Sequence, residues 1–257
     1  MDNCVIRAVA SANGQNNRVK IIVFEEFIPA LLHLEKFSHI LVFSALKITN
    51  EKTEPVPYAE IKENVMKILT INSKTGEIET EGKLYGKFLI FDIKPYFPIE
   101  DRVRKCISSG ISNTEDYLSF EKLDNYPINS SINSFNLKYC SIKLIGKIEK
   151  GSGFCRIRIS NDYLSIIDRI SNHSHIRILW YFNRFDGERY RKITQCDPPY
   201  EKAPRTGVFA SRSPVRPNPI AVTTCEVIMI DRQSGIIEIN DTDAFDKSPL
   251  QSRSAIN

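Results

Sequence analysis

The chain has 257 residues, 42% of them hydrophobic, with 35 lysines and arginines against 31 aspartates and glutamates, a net charge of +4. That composition gives enough apolar material for one large core or two modest ones and excludes a chain too polar to fold. The mild positive balance does not repel a polyanion, but it falls short of the dense basic face that marks a dedicated nucleic-acid binder. No apolar run approaches the roughly eighteen residues a membrane helix needs, and the opening Met1-Asp2-Asn3-Cys4-Val5-Ile6-Arg7 lacks the basic and apolar regions of a secretion signal. A cytoplasmic protein without membrane contact is expected. The six cysteines, at 4, 106, 140, 155, 196 and 225, show no C-x-x-C spacing and no zinc-ligand cluster with histidine, so reduced thiols and no metal site are expected.

In chain order, residues 5–9 and 19–24 read as strands from their β-branched content, 25–36 as a short helix, and 88–91 as a strand. Residues 162–170 read as a second short helix with Asn161 or Asp162 as its N-cap, followed by a strand at 176–182. Two blocks recur in the same order. Residues 31–43 match 167–179, each running from a helical pattern into Ser-His-Ile and a strand; residues 68–79 match 227–238, each an apolar hairpin whose glycine (Gly76, Gly235) takes positive φ in the turn. Residues 59–69 read locally as helix, but the repeat aligns them with the strand-like 220–230, and the repeat decides for strand. A Ser- and Asn-rich stretch separates the copies. The expected organisation is a domain at 1–105, a linker at 106–137 and a second domain at 138–257. The fold class is mainly β (α+β): two tandem small barrels with one short helix each.

The chemistry concentrates in Gly207-Val208-Phe209-Ala210-Ser211-Arg212-Ser213-Pro214-Val215-Arg216-Pro217-Asn218-Pro219-Ile220. Three X-Pro steps force a stiff extended loop, and Arg212 and Arg216 offer planar forks to a carboxylate or phosphate. A structural connector or a PxxP peptide ligand are the plainer readings; strand-like flanks argue against an exposed tail.

This stretch resembles, nearly residue for residue, the hallmark loop GVFATRSPFRPNPIGLS of the TsaA/TrmO family. Ser174-His175-Ile176 is similar to its FSH(L/I)W, Pro198-Pro199 to its RPPR and Asp246-Lys247-Ser248-Pro249-Leu250 to its DGTPV. The first copy has a fuller FSHI at Phe37-Ser38-His39-Ile40 and the family's closing DIKPY at Asp92-Ile93-Lys94-Pro95-Tyr96. The resemblance implies a barrel fold, S-adenosyl-L-methionine as cofactor, and methylation of the exocyclic amine of threonylcarbamoyladenosine in tRNA by a homodimer. It assigns cofactor contacts to His175, Ile176, Arg212, Val222, Asp246, Lys247 and Ser248, with Phe209, Ser213, Arg216 and Asn218 lining or bracing the pocket. No general base is nominated, because the donor is already activated and positioning is the main task. Lys202, Arg205 and Arg191, with Arg189 and Lys192, are candidate contacts to tRNA phosphates.

The first copy lacks the proline–arginine loop; at 53–60 it is acidic, and its pocket is expected to be dead, with His39 structural. The second copy lacks DIKPY, and its RPPR position reads Asp197-Pro198-Pro199-Tyr200. An internal pseudo-dimer follows, one degenerate half supporting one cofactor-binding half, as a monomer or a homodimer of chains. The alternatives are a non-catalytic S-adenosylmethionine- or tRNA-binding regulatory module and a methyltransferase of another substrate.

Overall fold

The computed structural model describes residues 4–49, 56–101, 138–170, 173–199 and 202–255. The expected linker at 106–137 lies outside them. Within the first copy the strands are β1 (Cys4–Arg7), β2 (Ala10–Gln15), β3 (Arg18–Val23), β4 (His39–Thr49), β5 (Tyr58–Asn72), β6 (Glu77–Glu81) and β7 (Gly86–Pro95). The short helix α1 (Pro98–Asp101) follows β7. Beyond the linker come β8 (Tyr139–Ile142), β9 (Gly146–Gly151), β10 (Phe154–Ile159), β11 (His175–Tyr181), helix α2 (Glu188–Arg191), β12 (Gln195–Cys196), β13 (Thr206–Gly207), β14 (Ile220–Asp231), β15 (Ile236–Ile239) and β16 (Pro249–Ala255).

Pairing β5 with β6 closes the first sheet into a ring β2-β3-β6-β5-β4-β7, and the second copy closes as β9-β10-β15-β14-β11-β16. The two rings have the same order. Their irregularities also coincide: β5 bulges between Ile68 and Thr70 against β6, and β14 between Val227 and Met229 against β15. β4 slips against β7 after Phe43, as β11 does against β16 after Leu179. Gly76 and Gly235 both take positive φ, +73° and +70°, and their carbonyls accept from Val23 and Ile159, the last residues of β3 and β10. Bulges and turns fix register, so shared ones are a stronger sign of duplication than shared strands. Residues 59–69 are strand, as the repeat required.

The helices differ from expectation. Residues 25–36 form two 3₁₀ turns, Glu25–Leu31 and Leu34–Lys36, and Asn161–Arg169 is also 3₁₀. Pro29 sits inside the first and bars an α-helical ladder. In the second, Leu164, Ile167 and Ile170 are three apart, a spacing that eclipses them on one face, against the second barrel's core. Neither Asn161 nor Asp162 is the N-cap. Ser160 holds that place without a side-chain capping bond, and its N–H donates to the Ile145 carbonyl.

Each barrel has its own apolar interior. A third cluster joins them along a seam: Leu41, Phe43, Leu89 and Phe91 on the outer face of the first barrel meet Leu179, Tyr181 and Ile220 of the second. The opening strands β1 and β8 pair antiparallel beside it. The cysteines among the described residues are unbridged, and no helix among those residues is long and apolar enough to cross a membrane.

Candidate functional site

The proline–arginine loop of the second copy docks on the first. Gly207 donates its N–H to Leu32 O at 2.9 Å and Thr206 Oγ1 to the same carbonyl at 3.1 Å. The approach is so close that a Cβ on Gly207 would stand 2.0 Å from Ala30 O. Val208, Phe209 and Ala210 then enter the core of the first barrel. Phe209, on the second copy, thus plugs the barrel that lacks the loop.

Beyond Phe209 the loop is fixed by buried polar bonds. Asn218 is fully buried; its Nδ2 donates to Arg7 O and Phe91 O, both at 2.6 Å, and its Oδ1 accepts from Arg7 N at 2.9 Å. Arg216 is also fully buried. Its Nη2 donates to Val208 O and lies within reach of Ile93 O and Ser211 O, while its Nε stands 3.5 Å from Asp92 Oδ2. Asp92 binds Lys94 Nζ at 2.7 Å as well. Burial, reinforced by Arg216 and opposed by Asp92, pushes the Lys94 ammonium down to about 7. Both Asp92 and Lys94 belong to the DIKPY that only the first copy keeps.

Arg212 donates from Nη2 to Asp101 Oδ2 and, at 3.0 Å, to Pro95 O. Asp101 also accepts from Arg177 at 3.0 Å and from Phe97 N at 2.7 Å, and Arg177 reaches Glu63 Oε1 at 2.7 Å. Burial raises the Glu63 carboxyl against the pull of Arg177. The seam therefore sets three acids of the first copy, Glu63, Asp92 and Asp101, against three arginines of the second, Arg177, Arg212 and Arg216.

A cavity of about 560 Å³ opens beside this lock. Arg212 and Ser213 form one end, with Cys196 and Ser211 beside them; Phe37 and Phe97 of the first copy lie edge to face at 5.7 Å and form, with Pro198 and Pro199 of the second, an apolar wall. Its volume falls in the range of small-molecule sites. Arg212 Nε is buried with no hydrogen-bond partner, and its guanidinium lies 5.3 Å from the Phe97 ring centre. A guanidinium beside an apolar, partly aromatic lining suits a ligand carrying a carboxylate and an apolar ring, as S-adenosylmethionine does.

Of the cofactor positions implied by the resemblance, Arg212 and Ser213 line this cavity, while Phe209, Arg216 and Asn218 brace the loop behind it. His175 stands on β11 two residues from Arg177, hence on the same face, with Nδ1 2.9 Å from Ser174 Oγ; His39 repeats this contact with Ser38 at 3.0 Å. Ile176 is fully buried in the second barrel's core, and Val222 packs on the seam. The turn Asp246–Ser248 closes on β9 instead: Asp246 accepts from Lys150 N, Lys247 donates to Ile148 O, and Ser248 is buried. It is not among the cavity's lining. Of the phosphate candidates, Lys202 and Arg205 are exposed, but Arg191 is not free. Its guanidinium holds Asp186, Tyr181 Oη and, at 2.8 Å, Val5 O. Arg189 stacks on Tyr190, and Lys192 pairs with Glu188.

The first copy's support of the second is direct: Phe37 and Phe97 line the cavity, and Asp92 and Asp101 meet the loop's arginines. The signal was present in the complementary loss of motifs, since the copy without the loop keeps DIKPY and the copy with the loop has lost it.

Fused six-stranded barrels that share one built seam, with an arginine-bearing loop and a ligand-sized cavity in it, define a duplicated small-ligand-binding barrel. The chain belongs to the TsaA/TrmO family. The family model for the tRNA-methyltransferase O N-terminal domain matches residues 147–251, within the second copy. A probable S-adenosyl-L-methionine-binding protein of Methanocaldococcus jannaschii is 33% identical over 110 residues, covering 42% of this chain and 86% of that protein. A mouse tRNA (adenine(37)-N6)-methyltransferase is 31% identical over 81 residues, 32% of this chain and 18% of its own length. The crystal structure of TrmO from Pseudomonas aeruginosa aligns at 19% identity and a TM-score of 0.34; the match covers 44% of this chain and 64% of that one.

Proposed function

We propose that the chain is an S-adenosylmethionine-dependent methyltransferase that acts on the exocyclic amine of threonylcarbamoyladenosine in tRNA, with one working site per chain at the Arg212 end of the seam cavity. One observation carries this reading: the intact loop is docked so that Arg212 and Ser213 line a cavity of ligand size. The relatives named for binding S-adenosylmethionine support the cofactor, and the mouse methyltransferase supports the acceptor. When bound, the cofactor supplies a methyl group on a cationic sulfonium. The chain's own task is placement: Arg212 holds a carboxylate, Asp92 and Asp101 hold the loop, and Phe37 and Phe97 exclude water from the cavity. His175 and the turn at 246–248 stay candidate cofactor contacts on the second-copy side of the loop. The internal seam fills the place of a homodimer interface, so a single chain is the working unit.

Calorimetry with S-adenosylmethionine tests the cofactor. Arg212→Ala removes a charge-assisted bond and is expected to weaken binding about tenfold or more; unchanged affinity refutes the site. Mass spectrometry of nucleosides from tRNA incubated with protein and cofactor tests the acceptor. The loss of arginine around Pro198-Pro199 favours one second reading, a binding module without turnover. Tight cofactor binding with no methylated nucleoside from total tRNA selects it.

A further inference from the structure

The seam cavity carries more acid than its arginine end requires. Glu100, on α1 of the first copy, and Asp197, just before Pro198 and Pro199 of the second, both line it and both are exposed. Neither has an ion-pair or side-chain hydrogen-bond partner among the described residues. Two of the basic groups in the lining already face an acid: Arg212 is held by Asp101, and His33 stands 3.6 Å from Glu35. That leaves the Lys36 ammonium against the two carboxylates, so the lining keeps an excess of negative charge. At Asp197 the sequence also has an acid where the family's RPPR carries arginine. Arg212 suits the carboxylate of S-adenosylmethionine and the apolar lining suits its ring, but neither answers the fixed positive charge on the sulfur between them.

We infer that Glu100 and Asp197 are specificity-determining residues, which make the cavity favour the sulfonium of the methyl donor over the neutral thioether that remains after transfer. The inference rests on the methyl-transfer reading and adds to it a selection between donor and product. When the methyl group passes to an acceptor nitrogen, the carbon–sulfur bonding pair stays on sulfur and cancels its charge, and the nitrogen releases a proton to solvent. The attraction to the two carboxylates is lost in that step, while the carboxylate bond to Arg212 and the apolar contacts remain. Both acids border water, where one charge pair a few ångströms apart is worth about a threefold change in affinity. Glu100 comes from the first copy and Asp197 from the second, so the selection is made across the seam.

Calorimetry on the full chain compares S-adenosylmethionine with S-adenosylhomocysteine, which differ by the methyl group and the charge, and the ratio of the two affinities is the quantity read. Glu100→Gln and Asp197→Asn are near-isosteric changes at exposed positions. Each should lower the ratio in favour of S-adenosylmethionine about threefold and leave S-adenosylhomocysteine within about twofold. Lys36→Gln should move the ratio the other way by a similar factor. Raising salt from about 0.05 to 0.5 M should shrink the wild-type ratio by screening, and should change it little in the double variant E100Q/D197N. A role in packing alone would weaken both ligands together. A ratio that neither substitution alters, or that salt leaves untouched in the wild type, overturns the inference while the methyl-transfer reading stands. Failure of the wild type to bind either ligand sinks that reading and the inference with it.

Discussion

Phe209 is the sharpest point at which to test how the copies are joined. It belongs by sequence to the second copy, yet it is fully buried among Phe27, Ala30, Leu31 and Ile93 of the first. Phe209→Ala removes a complete aromatic side chain from that core. The transfer part alone is worth about 1.5–3 kcal/mol, and the cavity left in a rigid barrel brings the expected loss to about 3–5 kcal/mol. Urea unfolding measures the total. Hydrogen exchange with mass spectrometry locates it: protection should fall in β2, β3 and β6, which wall the first barrel, and persist in β9, β10 and β15. A loss below about 1 kcal/mol, or faster exchange confined to the second barrel, would refute the crossed docking of the loop.

Gly207→Ala should act on the same joint, because its Cβ meets backbone at Ala30 that cannot swing aside; a thermal transition unchanged from wild type counts against the docking. Asp101→Asn leaves Arg177 and Arg212 with one fewer buried carboxylate, and its stability loss should couple to that of Arg212→Ala by about 1 kcal/mol or more in a double-mutant cycle. Simple additivity would show that the two do not act together. Lys94 gives a pH dependence. With its ammonium at about 7 in the fold and near 10.5 when unfolded, the unfolded chain binds more protons between those values, so stability rises with pH across that window by up to about 1.4 kcal/mol per unit. Asp92, Arg216 and Arg212 are the charges that face it. The increment should vanish in Lys94→Met, and a wild type whose stability, relative to that variant, is flat from pH 7 to 9 contradicts it.

Much of the fold was legible because duplication writes the same constraints twice. The matched hairpins at 68–79 and 227–238 gave the glycine turns and overrode the helical look of 59–69, which is amphipathic only because one face of β5 lies inside a barrel. The helices were misread where the apolar spacing of three in Leu164, Ile167 and Ile170 passes for an α-helical face. At the site, the loop and Arg212 were legible from their own chemistry. Asp101, Glu63 and Phe97 were not, since nothing in their local sequence distinguishes an acid or aromatic that meets another copy from one that meets water. Arg191 shows the converse error: a basic residue in a basic run looks free until the fold hands it Asp186, Tyr181 and the Val5 carbonyl.

The registers explain why the seam joins unlike copies. Asp92 pairs opposite Phe43 on β4, and the matching place opposite Leu179 on β11 is Ser252. Glu63 also stands opposite Phe43, and its counterpart opposite Leu179 is Val222. Arg177, two residues after His175, corresponds to Leu41, two after His39. Two second copies brought together would therefore offer Arg216 and Arg177 neither Asp92 nor Glu63, each a buried guanidinium without an acid. Such an ion costs several kcal/mol, far more than any apolar gain from the seam could offset at those positions. Two first copies would bring acids with no loop between them. Only the unlike pair sets each of these arginines beside an acid, and the long connection between residues 101 and 138 keeps that pair in one chain. Absence of DIKPY from one copy and of the arginine loop from the other is thus complementary: each copy lacks the half of the joint that its neighbour supplies.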